Sequence, residues 1–190
     1  TVPPHVQLEK LHVVRRGKRI LGPIDLRLGG QGMTIVMGPN GAGKTTLLKV
    51  LHGVERVSAG TVRWSLSDKE VRETQSYVFQ RPIMLRRSVR QNLAYPLELL
   101  GLPKDQIFER VLHWATQVGL EGMLDNPAPR RSGGEKQKLA LARALIRTPS
   151  VLFLDEPCAN LDGRSTREVE EVLRRANDHG TRIIMTTHDL

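Results

Sequence analysis

The sequence predicts an α/β fold: a largely parallel sheet covered by helices on both faces, with short strands before it and a helical subdomain inserted into it. Three observations predict this fold. Strand-like runs fill the N-terminal third, strands alternate with helices around a glycine-rich turn, and the apolar residues from Ser88 to about Arg147 recur with helical spacing. Such alternation favours a parallel sheet, because crossover helices cover its faces.

The N-terminal strands are separated by glycine turns. The runs "VQLEKLHVV", "KRILGPIDLRL" and "MTIVM" have the composition of strands, and Gly17 and the pair Gly29–Gly30 lie between them. The segment "KTTLLKVLHGV" after the glycine-rich turn is predicted to be a helix, and "GTVRW" and "SYVF" are two further strand predictions.

The helical stretch is expected to consist of separate helices, divided by Pro96, Gly101, Pro103, Pro127 and Pro129. After it, "SVLFLDEP" is typical of a buried strand that ends in two acids. The segment "REVEEVLRRANDHG" then predicts an amphipathic helix, and "TRIIMTT" predicts a last buried strand. No internal repeat is found, so we expect one nucleotide site per chain.

The composition narrows the classes of protein to which the chain can belong. The 190 residues suit one domain with a real core, and no apolar run approaches the length of about 20 residues that spans a bilayer. The single cysteine, Cys158, excludes a disulfide framework and is predicted to be a small packing residue. The net charge of +9 is compatible with nucleic acid, anionic lipid or nucleotide, but aromatic residues at 4% argue against a stacking platform for single strands.

The stretch "GPNGAGKT" fits the phosphate-loop pattern G-x-x-x-x-G-K-[ST] in full. Glycines let successive backbone N–H groups turn towards phosphate oxygens, Lys44 supplies a charge for the β- and γ-phosphates, and Thr45 offers a hydroxyl to Mg²⁺. The helix that follows directs its positive end at the anion. The predicted nucleotide-binding residues are Gly38, Pro39, Asn40, Gly41, Ala42, Gly43, Lys44, Thr45 and Thr46.

Two acids end the buried strand "VLFLDE". In open α/β sheets ligands lie at the carboxyl edge of the strands, so Asp155 is predicted to hold Mg²⁺ through water and Glu156 to orient or deprotonate an attacking water. The alternative is an acidic loop that caps the next helix. A phosphate loop in the same chain favours the catalytic interpretation, because that chemistry requires such an aspartate.

The stretch "RRSGGEKQKLALARAL" places two glycines where a helix must begin. Ser132 and Glu135 have the spacing of a capping box, which explains both residues structurally. Gly133 and Gly134 are not explained by it, because glycine inside the first turn costs up to about 1 kcal/mol per residue. Free N–H groups at a helix start form an anion site, which predicts either a second ligand or one ligand held by two chains.

The chain resembles the ATP-binding subunit of ABC (ATP-binding cassette) transporters over nearly all its length. The resemblance is carried, in order, by "GPNGAGKTT", "VFQRP", "RSGGEKQKLALARAL", "VLFLDEPCANLD" and "TTHD". It implies a P-loop NTPase (RecA-like) core with an N-terminal antiparallel β subdomain and an inserted α-helical subdomain. Residues 1–80 and 148–190 would form the core with its β subdomain, and 81–147 the helical signature subdomain.

The resemblance also implies roles for single residues. Gln80 would sense the γ-phosphate, Mg²⁺ and the attacking water, and His188 would contact the γ-phosphate and support Glu156. Two such subunits would dimerise head to tail around ATP, with Asp162 at the interface. The signature residues of one subunit would then bind the γ-phosphate held by the other; they are Ser132, Gly133, Gly134 and Glu135.

This chain departs from the family pattern at several positions. Arg131 stands where the family usually has leucine, and it would either strengthen γ-phosphate binding or impede dimer closure. Glu135 replaces the more typical glutamine. Arg16 stands where an aromatic ring usually stacks on adenine; a guanidinium can also stack on a base, but an exposed loop arginine is an equal alternative. The chain ends just after "THD", so we expect a C-terminally truncated domain.

The expected function is an ATPase that powers solute transport across a membrane by ATP-driven dimer closure, as in importers, with ATP and Mg²⁺ as cofactors. The expected partners are a second copy of the chain, separate transmembrane permease subunits and a substrate-binding protein, with no specific nucleic acid. The expected location is the cytoplasmic face of the membrane. The segment after Gln80 resembles that of tungstate-type oxyanion importers. The alternatives are a soluble ABC-type ATPase acting on nucleic acid or ribosomes, and a small-molecule kinase.

Overall fold

The computed structural model describes residues 4–188, which form two β-sheets and an inserted group of helices. Asp189 of the "TTHD" stretch and the predicted truncation at Leu190 lie outside the described residues. The strands are β1 (Val6–Arg15), β2 (Lys18–Leu28), β3 (Met33–Met37), β4 (Ala59–Trp64), β5 (Gln75–Val78), β6 (Val151–Asp155) and β7 (Arg182–Thr187). The helices are α1 (Lys44–His52), α2 (Asp68–Thr74), α3 (Val89–Leu99), α4 (Lys104–Gln117), α5 (Gly133–Leu145) and α6 (Gly163–Asp178).

The two sheets match the two kinds predicted from the sequence. One is antiparallel with the order β2-β1-β4, and the other is parallel with the order β3-β7-β6-β5. The short, apolar strand β6 is buried at every residue, as expected for a strand covered on both faces.

Helices cover both faces of the parallel sheet. On one face, α1 packs with Phe153 and Ile184 and with the antiparallel sheet in one apolar cluster. On the other, α5, α6 and the inserted helices pack against Leu152, Leu154 and Ile183 in a second cluster. Side chains of β6 therefore alternate between the two clusters, following the two-residue period of a strand.

Two details of the helical prediction differ in the structure. Pro96 does not separate two helices but lies inside α3, which ends one turn later at Leu99; proline removes one N–H donor there without stopping the last turn. Helix α2 was not predicted from the sequence. Its signal was present, because Ser67 and Glu70 form a complete capping box at the start of this helix.

The topology brings the carboxyl ends of the parallel strands to one edge. β6 and β7 pair so that Asp155 lies opposite Thr186, and β3 pairs with β7 up to Met37 opposite Thr187. The phosphate loop leaves β3 at this edge, and Gln80 follows β5 there. This is the edge at which open α/β sheets bind ligands.

Candidate nucleotide-binding and hydrolysis site

The phosphate loop connects β3 to α1 by a turn that requires glycine. Gly43 caps α1 with a left-handed φ of 95°. A Cβ atom there would lie 2.9 Å from the carbonyl oxygen of Ile20 in β2. The antiparallel sheet thus holds the loop so closely that only glycine fits.

Lys44 is buried at the start of α1 and lies between the loop and the acidic strand. Its ammonium donates to the carbonyl oxygen of Gly38 and lies 3.3 Å from Oε1 of Glu156. The side chains of Lys44 and Glu156 are only 8% and 9% exposed. Separation of a buried pair of opposite charges is costly. A ligand that replaces Glu156 as the partner of Lys44 must therefore supply negative charge of its own.

Asp155 accepts hydrogen bonds from two hydroxyl groups on different elements. Thr45 Oγ1 in α1 lies 3.1 and 2.9 Å from the two carboxylate oxygens, and Thr186 Oγ1 in β7 donates over 2.9 Å to Oδ1. Thr186 belongs to the "TTHD" stretch, but no role for it was predicted from the sequence. The contact of Thr186 with Asp155 depends on the strand register, which the sequence alone does not supply.

Glu156 has an unusual backbone conformation that directs its side chain into the site. Its φ of 46° lies in the left-handed region, which costs an ordinary residue about 1–3 kcal/mol. The Glu156 N–H donates over 3.0 Å to Thr186 Oγ1, and Nδ1 of His188 lies 3.3 Å from Glu156 Oε1. The structure therefore brings the two predicted residues Glu156 and His188 together.

The donors at this edge fit a magnesium ion. A hydroxyl and a carboxylate are hard oxygen ligands, and Mg²⁺ in nucleotide sites takes few protein ligands and completes its shell with phosphates and water. Thr45 and Asp155 already lie within hydrogen-bond distance of each other. Gln80, the third predicted ligand, is exposed after β5 and makes no hydrogen bond within residues 4–188.

The predicted signature stretch forms the start of α5, and its capping box is complete. Ser132 Oγ accepts from the N–H of Glu135 over 3.1 Å, and Glu135 Oε1 accepts from the N–H of Ser132 over 3.0 Å. Ser132 and Gly133 are exposed. Within the described residues, no hydrogen bond or ion pair joins this helix start to the phosphate loop.

The two glycines of the signature have different surroundings. A Cβ on Gly133 would meet no atom within 4 Å, whereas a Cβ on Gly134 would lie 2.9 Å from Ser165 Oγ in α6. Ser165 is the residue whose N–H donates over 2.7 Å to Asp162, the N-cap of α6. Packing inside the chain therefore accounts for Gly134 but not for Gly133.

Asp162 is exposed, and its charge is stabilised by the helix it caps. The backbone hydrogen bond from Ser165 is the largest cause that lowers the pKa of this carboxyl, so Asp162 carries a negative charge at neutral pH. Ser165 therefore contacts both Asp162, through its N–H, and Gly134, through its side chain. These are two of the predicted interface residues.

Arg131 turns back onto its own chain. Its Nε donates to the carbonyl oxygen of Pro127 over 3.4 Å, and Nη1 lies 4.0 Å from Met123 Sδ. Some of the donors of the guanidinium thus already contact the loop before α5. Arg16 lies exposed at the hairpin turn after β1, with a φ of 51°; no ring or ion pair contacts it within residues 4–188.

Comparison with known proteins now identifies the family. The family model described as ABC transporter matches residues 21–159. The chain belongs to this family. The match includes the phosphate loop, the signature stretch, and Asp155 and Glu156 at the end of β6, and it confirms the family and the P-loop NTPase fold that the sequence predicted.

Curated relatives agree with this assignment. The chain is 38% identical over 176 residues to the tungstate uptake system ATP-binding protein TupC of Peptoclostridium acidaminophilum, covering 92% of this chain and 82% of that protein. It is 36% identical to the sn-glycerol-3-phosphate import ATP-binding protein UgpC of Paracoccus denitrificans, covering 91% of this chain but only 51% of that protein. The chain thus spans from about half to four fifths of these relatives.

Two solved structures have the same fold. CbiO1 from Clostridium perfringens, part of the ABC transporter complex CbiONQ, has a TM-score of 0.86 and 31% identity, covering 97% of this chain and 78% of that one. The dimeric ATP-binding cassette MJ0796 in a post-hydrolysis state with ADP and Pi has a TM-score of 0.84 and 25% identity, covering 97% and 88%. These comparisons confirm the prediction of an ATP-hydrolysing transport subunit.

Proposed function

We propose that this chain hydrolyses ATP with Mg²⁺ at the carboxyl edge of its parallel sheet, and that closure of a head-to-tail homodimer drives import through separate permease subunits. The observation that carries the proposal is the convergence of Lys44 on Glu156 and of Thr45 on Asp155 at that edge. In this proposal, residues 1–80 and 148–190 form the nucleotide-binding core, and residues 81–147 form the helical signature subdomain.

Lys44, Thr45 and Asp155 would hold the phosphates and the ion. The ammonium of Lys44 now contacts the carbonyl of Gly38 and Glu156. Bound phosphates would compete with these two groups for it. The backbone of the phosphate loop and the start of α1 supply N–H groups to the same anion. Thr45 and Asp155 would ligate Mg²⁺, which neutralises charge on the phosphate oxygens when bound.

Glu156 would act as the general base. Transfer of Lys44 to the phosphates would remove the cation now paired with Glu156 and leave the carboxylate free to contact the attacking water. Glu156 then accepts a proton from the attacking water, whose oxygen bonds to the γ-phosphorus while ADP leaves. His188, next to Glu156 Oε1, would orient that carboxylate and contact the γ-phosphate, and Gln80 would position the water.

The second copy of the chain would complete the site. Ser132 and Gly133 are exposed at the N-terminus of a helix of 13 residues, where backbone N–H groups and the helix dipole favour an anion. Since no hydrogen bond or ion pair within residues 4–188 joins this stretch to the phosphate loop of its own chain, the anion it binds would be the γ-phosphate held by the partner. Asp162 would lie at the same interface.

An apolar groove beside Gln80 is the proposed contact for a permease subunit. Arg143 of α5 fixes one wall, because it donates to Asn92 Oδ1 over 3.1 Å and to the carbonyl of Ile83 over 2.7 Å. We expect an apolar helix with acidic flanks to bind here, since arginines border the groove. The groove is lined by Tyr77, Phe79, Pro82, Leu85, Tyr95, Leu99 and Leu100, among others.

The proposed location follows from this partner. Within residues 4–188, none of the helices is long and apolar enough to cross a membrane. The chain would therefore be held at the cytoplasmic face by permease subunits, and a substrate-binding protein would deliver the solute on the other side. Relatives named for tungstate and for glycerol-3-phosphate have nearly equal identity to this chain, so substrate choice is expected to reside in those partners.

An oxyanion substrate remains the specific prediction for the solute. The similarity to TupC supports it. In membranes that contain the chain with its permease and binding protein, tungstate or molybdate should stimulate ATP hydrolysis. Methionine and glycerol-3-phosphate serve as controls, because other relatives are named for them. Stimulation by either control but not by the oxyanions would overturn this substrate class.

The experiment that tests the proposed function is ATP hydrolysis by purified chain. We expect Mg²⁺-dependent phosphate release that is lost in Lys44→Ala and kept in Lys49→Ala, a matched lysine near the other end of α1. Release that Lys44→Ala leaves intact would contradict the proposal. Activity that requires DNA or RNA and falls steeply with salt would favour the nucleic-acid alternative instead.

A further inference from the structure

A cavity of about 420 Å³ lies at the amino edge of the parallel sheet, at the opposite end from the candidate nucleotide site. Ser150 and Thr181, which line it, immediately precede β6 and β7. Asp155 ends β6, roughly 16 Å away at about 3.3 Å per residue. Small-molecule sites usually have volumes of about 300–1,000 Å³. The cavity is therefore large enough to hold a ligand of its own.

The walls of the cavity come from helices on both sides of a junction. Trp114 lies in α4, among the inserted helices, whereas Val172 and Ala176 lie in α6, which follows β6. Leu145, at the end of α5, completes an apolar floor. An indole ring with aliphatic neighbours buries an aromatic ring well. The floor therefore favours a ligand with an aromatic body.

The rim of the cavity is basic. Arg175, His113 and His179 line it, and none of the described lining residues is acidic. Outside the lining, Glu171 Oε1 lies 3.8 Å from Arg175 Nε, but the same carboxylate also pairs with Arg174. One carboxylate between two arginines leaves an excess of positive charge at the rim, and a cleft lined by one sign of charge attracts the opposite sign. The rim therefore favours an anionic group on the ligand.

Hydrogen-bond donors of the rim are still available. Arg175 Nη1 donates to Gln117 Oε1 over 3.0 Å, whereas Arg175 Nη2 makes no hydrogen bond within residues 4–188. His179 Nδ1 donates to the carbonyl of Arg175 over 2.7 Å, which leaves Nε2 as the nitrogen open to a ligand. A hydrogen bond from a guanidinium to a carboxylate is among the stronger kinds in proteins. The cavity thus combines an aromatic floor with a free guanidinium donor for an acid.

We propose that this cavity is a second ligand site, for a small aromatic acid whose ring packs on Trp114 and whose carboxylate binds Arg175. Such a ligand would contact α4 and α6 together and so join the inserted helices to the core. The alternative is structural, because basic side chains near a helix C-terminus complement the helix dipole. That explains Arg175 and His179 at the end of α6, but it does not explain the open apolar floor beside them.

The test is a titration of the ¹⁵N-labelled chain with indole-3-acetate, followed by NMR at the two tryptophan side chains. The Nε1–H signal of Trp114 should shift and saturate with a Kd of about 1 mM or below, as ligand efficiencies imply for a molecule of this size. Trp64 is the internal reference, because its N–H donates to the carbonyl of Leu51 in the cluster on the other face of the sheet. Saturating ADP should leave the titration unchanged.

Arg175→Gln tests the contact with the carboxylate, because it keeps a polar side chain at an exposed position and removes the charge. We expect indole-3-acetate to bind about tenfold more weakly, as for loss of a hydrogen bond to a charged group. Uncharged indole-3-acetamide should bind both proteins equally. The matched control is Arg174→Gln, which makes the same change of net charge on a side chain outside the cavity lining; its affinity for indole-3-acetate should equal the wild type.

Three results of the titration would overturn the inference: a Trp114 signal that does not saturate, an equal shift at Trp64, or competition with ADP. An Arg175→Gln variant that binds indole-3-acetate as tightly as the wild type would also overturn it. The titration requires no hydrolysis, so a chain that binds the acid but neither binds nor hydrolyses ATP would refute the proposed function and leave this site in place.

Discussion

The acidic edge of the sheet and the start of α5 contrast in how far one chain completes them. At the acidic edge, Asp155 and Glu156 are buried, and hydrogen bonds with α1, with β7 and with His188 after β7 hold them in place. At the start of α5, only the capping box is closed, and Ser132 and Gly133 face outwards. Within residues 4–188 one chain thus completes the first region, whereas the second stays open, and the proposed function assigns it to the nucleotide of a second copy.

The largest expected effect is at the acidic edge. Glu156→Gln keeps the shape of the side chain but removes its ability to accept a proton, so hydrolysis should fall about a hundredfold or more, as for loss of a general base. Steady-state phosphate release measures this. Glu55→Gln, which affects an ion pair with Arg15 on the antiparallel sheet, is the control. A residual rate near wild type would exclude Glu156 as the base.

Thr186→Val tests whether hydrogen bonds within the chain shape that edge. Valine matches threonine in shape but cannot donate to Asp155 or accept from the Glu156 N–H. We expect about 1–3 kcal/mol less stability and an activity about tenfold lower, measured by urea unfolding and phosphate release. Thr116→Val removes a hydroxyl that bonds only within α4 and should be nearly neutral. Equal effects of both variants would contradict the account.

Substitution of the two signature glycines by alanine tests the start of α5, the second of the two regions compared. Gly133→Ala adds a methyl group in open space and should raise the stability of the single chain by up to about 1 kcal/mol. Hydrolysis should nevertheless fall, because the methyl group would hold the partner's phosphate away from the backbone N–H groups. The expected fall is about fivefold, the equivalent of one lost hydrogen bond.

Gly134→Ala should act in the opposite way on stability, because its methyl group meets Ser165 Oγ and disturbs the cap at Asp162. Melting temperatures of nucleotide-free protein distinguish the two variants. If Gly133→Ala left hydrolysis unchanged, the exposed glycine would have no role in binding phosphate.

The smallest effect is expected at Arg131. The guanidinium contacts Pro127 and Met123 of its own chain, so Arg131→Leu should change stability by no more than about 0.5 kcal/mol and hydrolysis by about twofold. The comparison of ATP concentration curves for both proteins measures this. A large gain in activity would mean that Arg131 impedes closure, and a large loss would mean that it binds the partner's nucleotide.

Much of the fold and site could be predicted because the signals were local. The phosphate loop, the capping box of Ser132 and the strand that ends in Asp155 each follow from residues next to one another. The alternation of strands and helices then predicted the parallel sheet. The same reasoning failed at Pro96, because tertiary packing keeps α3 helical for one more turn than local preference predicts.

The remaining features depend on contacts between distant residues. Thr186 meets Asp155 across 31 positions, and Ser165 meets Gly134 across two helices; no spacing rule reports such pairs. The turn of Arg131 towards Met123 likewise depends on where the preceding loop lies. Register and packing, which set these contacts, are properties of the folded chain as a whole.

The most direct test of the central claim is size-exclusion chromatography of Glu156→Gln with and without ATP and Mg²⁺. We expect a monomer without nucleotide and a dimer with it, and Ser132→Arg in the same protein should abolish the dimer while ATP binding by the single chain persists. A dimer that Ser132→Arg leaves intact, or a monomer throughout despite bound ATP, would contradict the claim that the start of α5 completes the partner's site.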